Sequence, residues 1–117
     1  MNKQNRTKDV AFLSTYPPRE CGLATFTEDL VNEISKADRV RPQVIAVTTG
    51  SETYEDPRVA FKLSQHERSS YFKTAQWANT HVDLLVIEHE YGIFGGESGS
   101  YLLDLAKGLT IPFIVTT

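Results

Sequence analysis

Ionisable side chains and glycines crowd into one stretch of the sequence, EHEYGIFGG at residues 88–96. Its imidazole, His89, can act as a general acid or base, or can bind a hydroxyl group. The adjacent carboxylate of Glu90 can accept hydrogen bonds from ligand hydroxyls. The pattern HExxH is absent, which excludes a zinc protease of that type. The alternative is a polar turn in which Ser98 caps the next helix, and the residues alone leave both interpretations open.

A second stretch, PPRECG at residues 17–22, places a single glycine just before a helical pattern. A glycine there lets backbone N–H groups approach an anion, which the helix dipole also favours. Arg19 can add a charge-assisted hydrogen bond to the same anion. The pattern alone favours a simpler interpretation, in which Gly22 is a turn residue with positive φ. Neither GxGxxG nor GxxxxGK[ST] occurs, which excludes the usual dinucleotide and P-loop motifs.

Cys21 is the only cysteine, so an internal disulfide and a multi-cysteine zinc site are excluded. A thiol near a helix N-terminus can be a nucleophile when a base lies beside it. The sequence does not place His89 there, and we predict that Cys21 is a small packing residue. The acidic residues of a later loop are predicted to be solvated: Glu52, Glu55 and Asp56.

Apolar runs and helical periodicity alternate along the chain. Short apolar runs predict buried strands at 10–14, 42–48 and 83–88 and a further core strand at 111–115. The alternating pattern at 59–63 predicts an edge strand. Helical spacing predicts helices from about 23 to 37, from 66 to 80 and from 98 to 109. The first helix is expected to turn Phe26, Leu30 and Ile34 inward, and Thr25 with Glu28 fits a capping box as an alternative start.

This alternation predicts an α/β fold, a Rossmann-like open and mainly parallel sheet with helices on both faces. In such sheets ligands bind outside the carboxyl ends of the strands, where residues 17–22 and 88–96 would both lie. Residues 1–8 are predicted to be a flexible lead-in, and residues 9–117 to form one domain. Because no covering helix follows the last strand, we expect that domain to be truncated at its C-terminal end.

Composition narrows the function classes. The chain of 117 residues is 40% hydrophobic and 23% charged, which suits one globular domain. A net charge of −3 and the lack of a basic stripe argue against nucleic-acid binding. The polar start MNKQNRTKD is unlike a signal peptide, and no apolar run approaches the roughly 20 residues that span a bilayer. We therefore expect a cytoplasmic protein, with peripheral membrane contact left open.

Three segments together resemble a known family. FLSTYPPRECGLATFTEDL, VDLLVIEHEYGIFGG and IPFIVTT are similar to the first loop, the acceptor-side loop and a later strand of the N-terminal domain of family 4 retaining glycosyltransferases. These enzymes have the GT-B fold, and the likeness covers nearly the whole chain from Val10. The resemblance implies transfer of a sugar from a nucleotide-sugar donor to an acceptor hydroxyl, with retained anomeric configuration and without a metal or other cofactor.

The resemblance also assigns roles to residues. Gly22 matches the second glycine of the family's GG pair, whose backbone approaches the donor diphosphate, while Cys21 stands in the place of the first. Arg19 belongs to the same loop, and His89 and Glu90 match the acceptor-side loop. The family's histidine near the reacting sugar would lie just past Thr117, and its E-x7-E donor domain is absent. The resemblance therefore implies that this chain works together with a donor domain and is inactive alone. It also implies that the acceptor is a carbohydrate or is lipid-linked.

Two rival functions stay open. One half of a sugar-nucleotide epimerase shares the two-domain fold, although the PPRECG loop fits it less well. A stand-alone Rossmann-like binding module is the other, and its receiver-like form is disfavoured because the first strand ends in Leu13, Ser14 and Thr15 without acidic residues. The gene sequence beyond Thr117 would separate these readings, because only the glycosyltransferase predicts an immediate histidine and a later E-x7-E.

Overall fold

The computed structural model describes residues 6–117 and shows an α/β fold. Its elements, in chain order, are β1 (Lys8–Ser14), α1 (Gly22–Ile34), β2 (Val40–Thr48), β3 (Val59–Ser64), α2 (Arg68–His81), β4 (Leu84–Glu88), α3 (Tyr101–Gly108) and β5 (Phe113–Thr116). The five strands are all parallel in the order β3-β2-β1-β4-β5, which is consistent with a Rossmann-like open sheet. The predicted fold class is confirmed.

The inner strands β1, β2 and β4 are largely buried because they are continuous apolar runs. The edge strand β5 is instead exposed along its length, so the prediction of a core strand at 111–115 is wrong about its burial. On one face Leu13 and Ile45 join a large cluster with residues of α2 and α3. On the other face Phe12 and Val44 pack with Val31 of α1. Successive residues of a strand point to opposite faces, so one run such as Ala11–Phe12–Leu13 supplies both clusters.

The strand order reverses at the centre of the sheet. β1 pairs with β2 on one side and with β4 on the other, so that Phe12 lies between Val44 and Val86. The connections leave β1 and β4 in opposite directions, which opens a crevice at their carboxyl ends. The loop at 15–21 follows β1 and the loop at 89–96 follows β4, and both border this crevice.

Two expectations about α1 are wrong. The helix begins at Gly22 with Cys21 as its N-cap and shows no side-chain capping bond, so the capping box from Thr25 does not form. The Thr25 hydroxyl instead donates to the Cys21 carbonyl, at 3.4 Å. Phe26 is 56% exposed, because the helix turns Thr27 inward to polar partners on the sheet and carries Phe26 outward.

The start of α3 also differs from the prediction. Ser98 does not cap it; it lies in a single turn of 3-10 helix at Glu97–Gly99, with a φ of 54°, and α3 begins at Tyr101. Gly96 and Gly99, on either side of Ser98, also have positive φ. Because right-handed helices require negative φ, these residues prevent α3 from starting at residue 98.

The predicted lead-in at the N-terminus is described by the structure only in part. Of the predicted lead-in at 1–8, residues 1–5 lie outside the described residues, whereas Arg6 pairs with Asp83 and β1 already begins at Lys8.

Within residues 6–117, no helix has both the length and the apolar character needed to cross a membrane.

The acidic loop after β2 is held by hydrogen bonds, so the prediction that it is merely solvated is wrong for Asp56 and Glu52. The Asp56 carboxylate accepts bonds from Arg58 and from the Tyr16 hydroxyl. Arg58 also donates to Asn32, at 2.7 Å, and thereby ties the loop to α1. The bond from the Arg58 guanidinium is the main reason that the pKa of Asp56 lies well below its usual range.

We predict that Asp56→Asn lowers the free energy of unfolding at pH 6 by about 1.5–3 kcal/mol, because hydrogen bonds to a charged group are lost. A carboxyl whose folded pKa is depressed stabilises the fold above its unfolded pKa of about 3.9 and loses that contribution as the pH falls. The deficit of the variant should therefore shrink between pH 6 and pH 2.5, as measured by urea unfolding.

The matched control is Asp29→Asn, because Asp29 is exposed on α1. It should show neither the deficit at pH 6 nor the change with pH. A deficit for Asp56→Asn that stayed constant across this range would contradict the ionic origin of the loop's anchorage.

Candidate functional site

Gly22 lies open at the N-terminus of α1. It is exposed, its φ is not in the left-handed region, and a Cβ built on it would meet nothing within 4 Å. The interpretation of Gly22 as a positive-φ turn residue is therefore wrong. The first amides of a helix have no intrahelical partner, so they are free to meet an anion at this open end.

Arg19 lies on the β2 and β3 side of the crevice. Its Nη1 donates to the Val47 carbonyl at 3.5 Å and to Gln65 Oε1 at 3.4 Å, both long contacts to neutral oxygens. Among residues 6–117 it forms no ion pair. No carboxylate of the described chain thus lies within ion-pair distance of its guanidinium.

Cys21 has the environment of a packing residue. It is partly buried with an extended backbone, and its Sγ lies 3.3 Å from the Thr15 hydroxyl. The imidazole of His89 stacks on the Phe94 ring, with centroids 5.9 Å apart. The described residues therefore do not assemble a Cys21–His89 nucleophile and base.

His89 and Glu90 border a cleft of about 180 Å³. Its other walls come from the same loop and the turn that follows: Tyr91, Gly92, Phe94, Gly96, Ser98 and Gly99. Glu90 is exposed and Tyr91 is 93% exposed, so polar and aromatic groups face solvent together. Such a surface can bind hydroxyl-rich ligands through the carboxylate and imidazole, with ring faces for contact.

The two predicted loops approach each other across the crevice. Leu23, which follows Gly22, and His89 line one largely apolar groove with Phe26 and Leu30 of α1. The structure thus brings the helix N-terminus and the second loop to a common edge, whereas the Arg19 contacts lie one strand farther away, over β2 and β3.

A buried cluster of hydrogen-bonded side chains, which the sequence did not reveal, lies below this edge. Thr27 of α1 donates to Glu88 Oε2 at 2.7 Å, and its oxygen lies 2.9 Å from the Ser14 hydroxyl. Glu88 is only 3% exposed. Burial raises the pKa of Glu88, and the hydrogen bonds from Thr27 and Ser14 offset only part of that rise. A carboxylic acid ending the apolar run LLVI was the available signal.

Glu52 lies just after β2, where Rossmann domains often carry an acidic residue. In Rossmann domains an acidic residue after the second strand can bind a ribose hydroxyl. Here the Glu52 carboxylate accepts bonds from Thr48, Thr49 and Ser51. Burial acts to raise the pKa of Glu52, but these bonds outweigh it and lower the pKa to about 2. The Glu52 carboxylate is thus hydrogen-bonded within its own loop.

No metal centre is visible in the part of the chain that the structure describes. Its His, Cys, Asp and Glu side chains nowhere form a group of three or more suited to holding a metal ion.

We predict that Glu88→Gln becomes progressively more stable than the unmodified chain as the pH rises from 4 to 8. A carboxyl whose folded pKa is raised is favoured in its protonated form, so its contribution to stability declines above its unfolded pKa of about 4.3. Glutamine keeps an acceptor for Thr27 and does not ionise. Urea unfolding at several pH values measures the difference.

Glu20→Gln serves as the control, since Glu20 is exposed in the first loop. Its difference from the unmodified chain should not grow with pH in this manner. If the difference for Glu88→Gln were the same at pH 4 and pH 8, the buried carboxyl would have no raised pKa.

Comparison of the chain with protein-family models, curated proteins and solved structures found no match.

Proposed function

We propose that the chain is the acceptor-side half of a retaining glycosyltransferase with the GT-B fold. The observation that carries the proposal is the position of two loops, at 15–21 and 89–96, on either side of the crevice where the strand order reverses. Their sequences also resemble the corresponding loops of family 4 enzymes.

In this proposal the first loop meets the diphosphate of a nucleotide-sugar donor. The open backbone at Gly22 allows close approach, and the N-terminus of α1 favours negative charge. Arg19 lacks an acidic partner in the described chain, so its guanidinium can turn to the phosphates without breaking an ion pair. Cys21 occupies a glycine position of the family and supports the loop through Thr15.

The second loop binds the acceptor in this proposal. The imidazole of His89 and the carboxylate of Glu90 border one cleft and can orient an acceptor hydroxyl toward the donor. The leaving diphosphate would be stabilised by the α1 dipole and by basic groups of a donor domain, without a metal. The sugar acceptor, the donor domain and a cytoplasmic location are all parts of the same proposal.

We predict that Gly22→Ala weakens diphosphate binding at least fivefold without harming the fold. The added methyl group meets no protein atom, so stability should be unchanged or higher by about 0.4–1 kcal/mol. The same methyl group occupies the space through which phosphate would approach the backbone. Inorganic diphosphate is titrated into the chain while the amide resonances of residues 22–24 are followed by NMR.

Ser69→Ala is the control, because it changes an exposed residue in the first turn of α2. It should leave the diphosphate affinity unaltered. Equal affinity of Gly22→Ala and the unmodified chain would remove the donor role of this loop.

We predict that His89→Ala raises the acceptor KM about tenfold in the protein that also carries the donor domain, which matches the loss of one hydrogen bond of about 1.4 kcal/mol. The donor KM should stay within twofold, because the donor diphosphate is assigned to the first loop. Release of nucleoside diphosphate from a panel of nucleotide sugars, with and without carbohydrate acceptors, provides the assay.

The 117-residue chain alone is expected to show no turnover in the same assay. Turnover by the chain alone would contradict the proposed division of labour. Nucleotide binding without transfer in the longer protein would favour a binding module, and interconversion of sugar epimers would favour an epimerase half.

A further inference from the structure

Gln65 is a buried polar residue that contacts both loops of the candidate site. It follows β3, is 6% exposed, and lies outside every motif discussed so far. Its Oε1 lies 3.4 Å from Arg19 Nη1, and its Nε2 donates to the Gly92 carbonyl at 2.9 Å. Among the described residues, no hydrogen bond joins the two loops directly.

The backbone of Gln65 is fixed from two sides. Its amide donates to the Thr48 carbonyl at 2.9 Å, and its carbonyl accepts the Tyr71 hydroxyl at 2.8 Å. That hydroxyl in turn accepts the Gly95 amide, at 2.8 Å. A Cβ on Gly95 would lie 2.0 Å from the Gln65 carbonyl oxygen, so the second loop packs directly on this backbone.

A neutral amide suits this position for a chemical reason. Gln65 must accept from a guanidinium and donate to a carbonyl at the same time, and a primary amide does both. A carboxylate would pair with Arg19 more strongly but has no donor for Gly92. Because the amide is uncharged, Arg19 is held in place without being neutralised.

We propose that Gln65 is a positioning residue that couples the two loops, so that an anion drawing Arg19 away releases Gln65 Oε1 and shifts the loop at 89–96. The assignment of diphosphate and acceptor to the two loops rests on the proposed function. The coupling between the loops rests only on the contacts of Gln65. Binding of the diphosphate would in this way adjust the acceptor loop from the far side of the crevice.

The coupling can be tested without a ligand. Arg19→Ala should move the amide resonances of Gly92 and Ile93, and should move them much less when Gln65→Leu is already present. The control Gln43→Leu removes a partly buried glutamine whose amide bonds Asp9, and Arg19→Ala should act there as it does in the unmodified chain. An Arg19→Ala effect absent from residues 92–93, or undiminished by Gln65→Leu, would overturn the proposal.

A second arm uses inorganic diphosphate and separates positioning from simple support of the fold. Gln65→Glu should weaken diphosphate binding at least fivefold, because the new carboxylate competes for Arg19. Gln65→Leu should bind diphosphate at least as well as the unmodified chain, because it removes a competing acceptor. Equal losses of affinity in both variants would indicate a merely structural role and overturn the proposal.

The two proposals fail in different ways. If diphosphate moved no amide of residues 22–24 in the unmodified chain, the proposed donor role would fail, while the ligand-free experiment would still decide the coupling. If diphosphate bound there but the ligand-free experiment showed no link to residues 92–93, only the coupling would fail.

Discussion

The buried hydrogen bonds between Thr27, Ser14 and Glu88 determine where α1 lies over the sheet. A buried carboxyl with raised pKa is costly unless it is paired, so the helix must present Thr27 to it. That rotation carries Phe26 to the surface and leaves the helix N-terminus above the junction of β1 and β4. This polar contact beneath the helix, together with the apolar packing of Val31, therefore fixes the helix whose first residue, Gly22, lies open.

Charge is distributed unevenly along the carboxyl edge of the sheet. The carboxylates of Glu52 and Asp56 are engaged by hydroxyls, amides and Arg58 within their own loop. Arg19, in contrast, contacts only neutral oxygens of Val47 and Gln65. Neither of these carboxylates forms an ion pair with Arg19 among the described residues. In the proposed function, Arg19 and the N-terminus of α1 attract the diphosphate even though the whole chain carries a net charge of −3.

The sequence predicts the strands and the α/β class well, because buried parallel strands require apolar runs that are visible locally. It predicts helix orientation and capping poorly, because those depend on partners distant in sequence. Thr27 and Glu88 are 61 residues apart, and Arg58 reaches Asn32 across 26 residues. Helical periodicity predicts that Phe26 faces inward, because it takes no account of the hydrogen bonds that Thr27 forms with Ser14 and Glu88 on the sheet. The residue types of the two loops can be read from the sequence. The contacts of Gln65 with Arg19 and Gly92 cannot, because these residues are distant in sequence and meet only in the fold.

The described chain offers binding groups without a complete reactive centre. The cleft beside His89 has a volume of about 180 Å³, below the range of about 300–1,000 Å³ typical of small-molecule sites. His89 stacks on Phe94, and Cys21 contacts Thr15, so neither forms a nucleophile and base pair. Open amides, an unneutralised guanidinium and an exposed carboxylate instead face the same edge. In the proposed function this edge is one wall of a cleft, and a second surface supplies the groups that complete the reaction and exclude water.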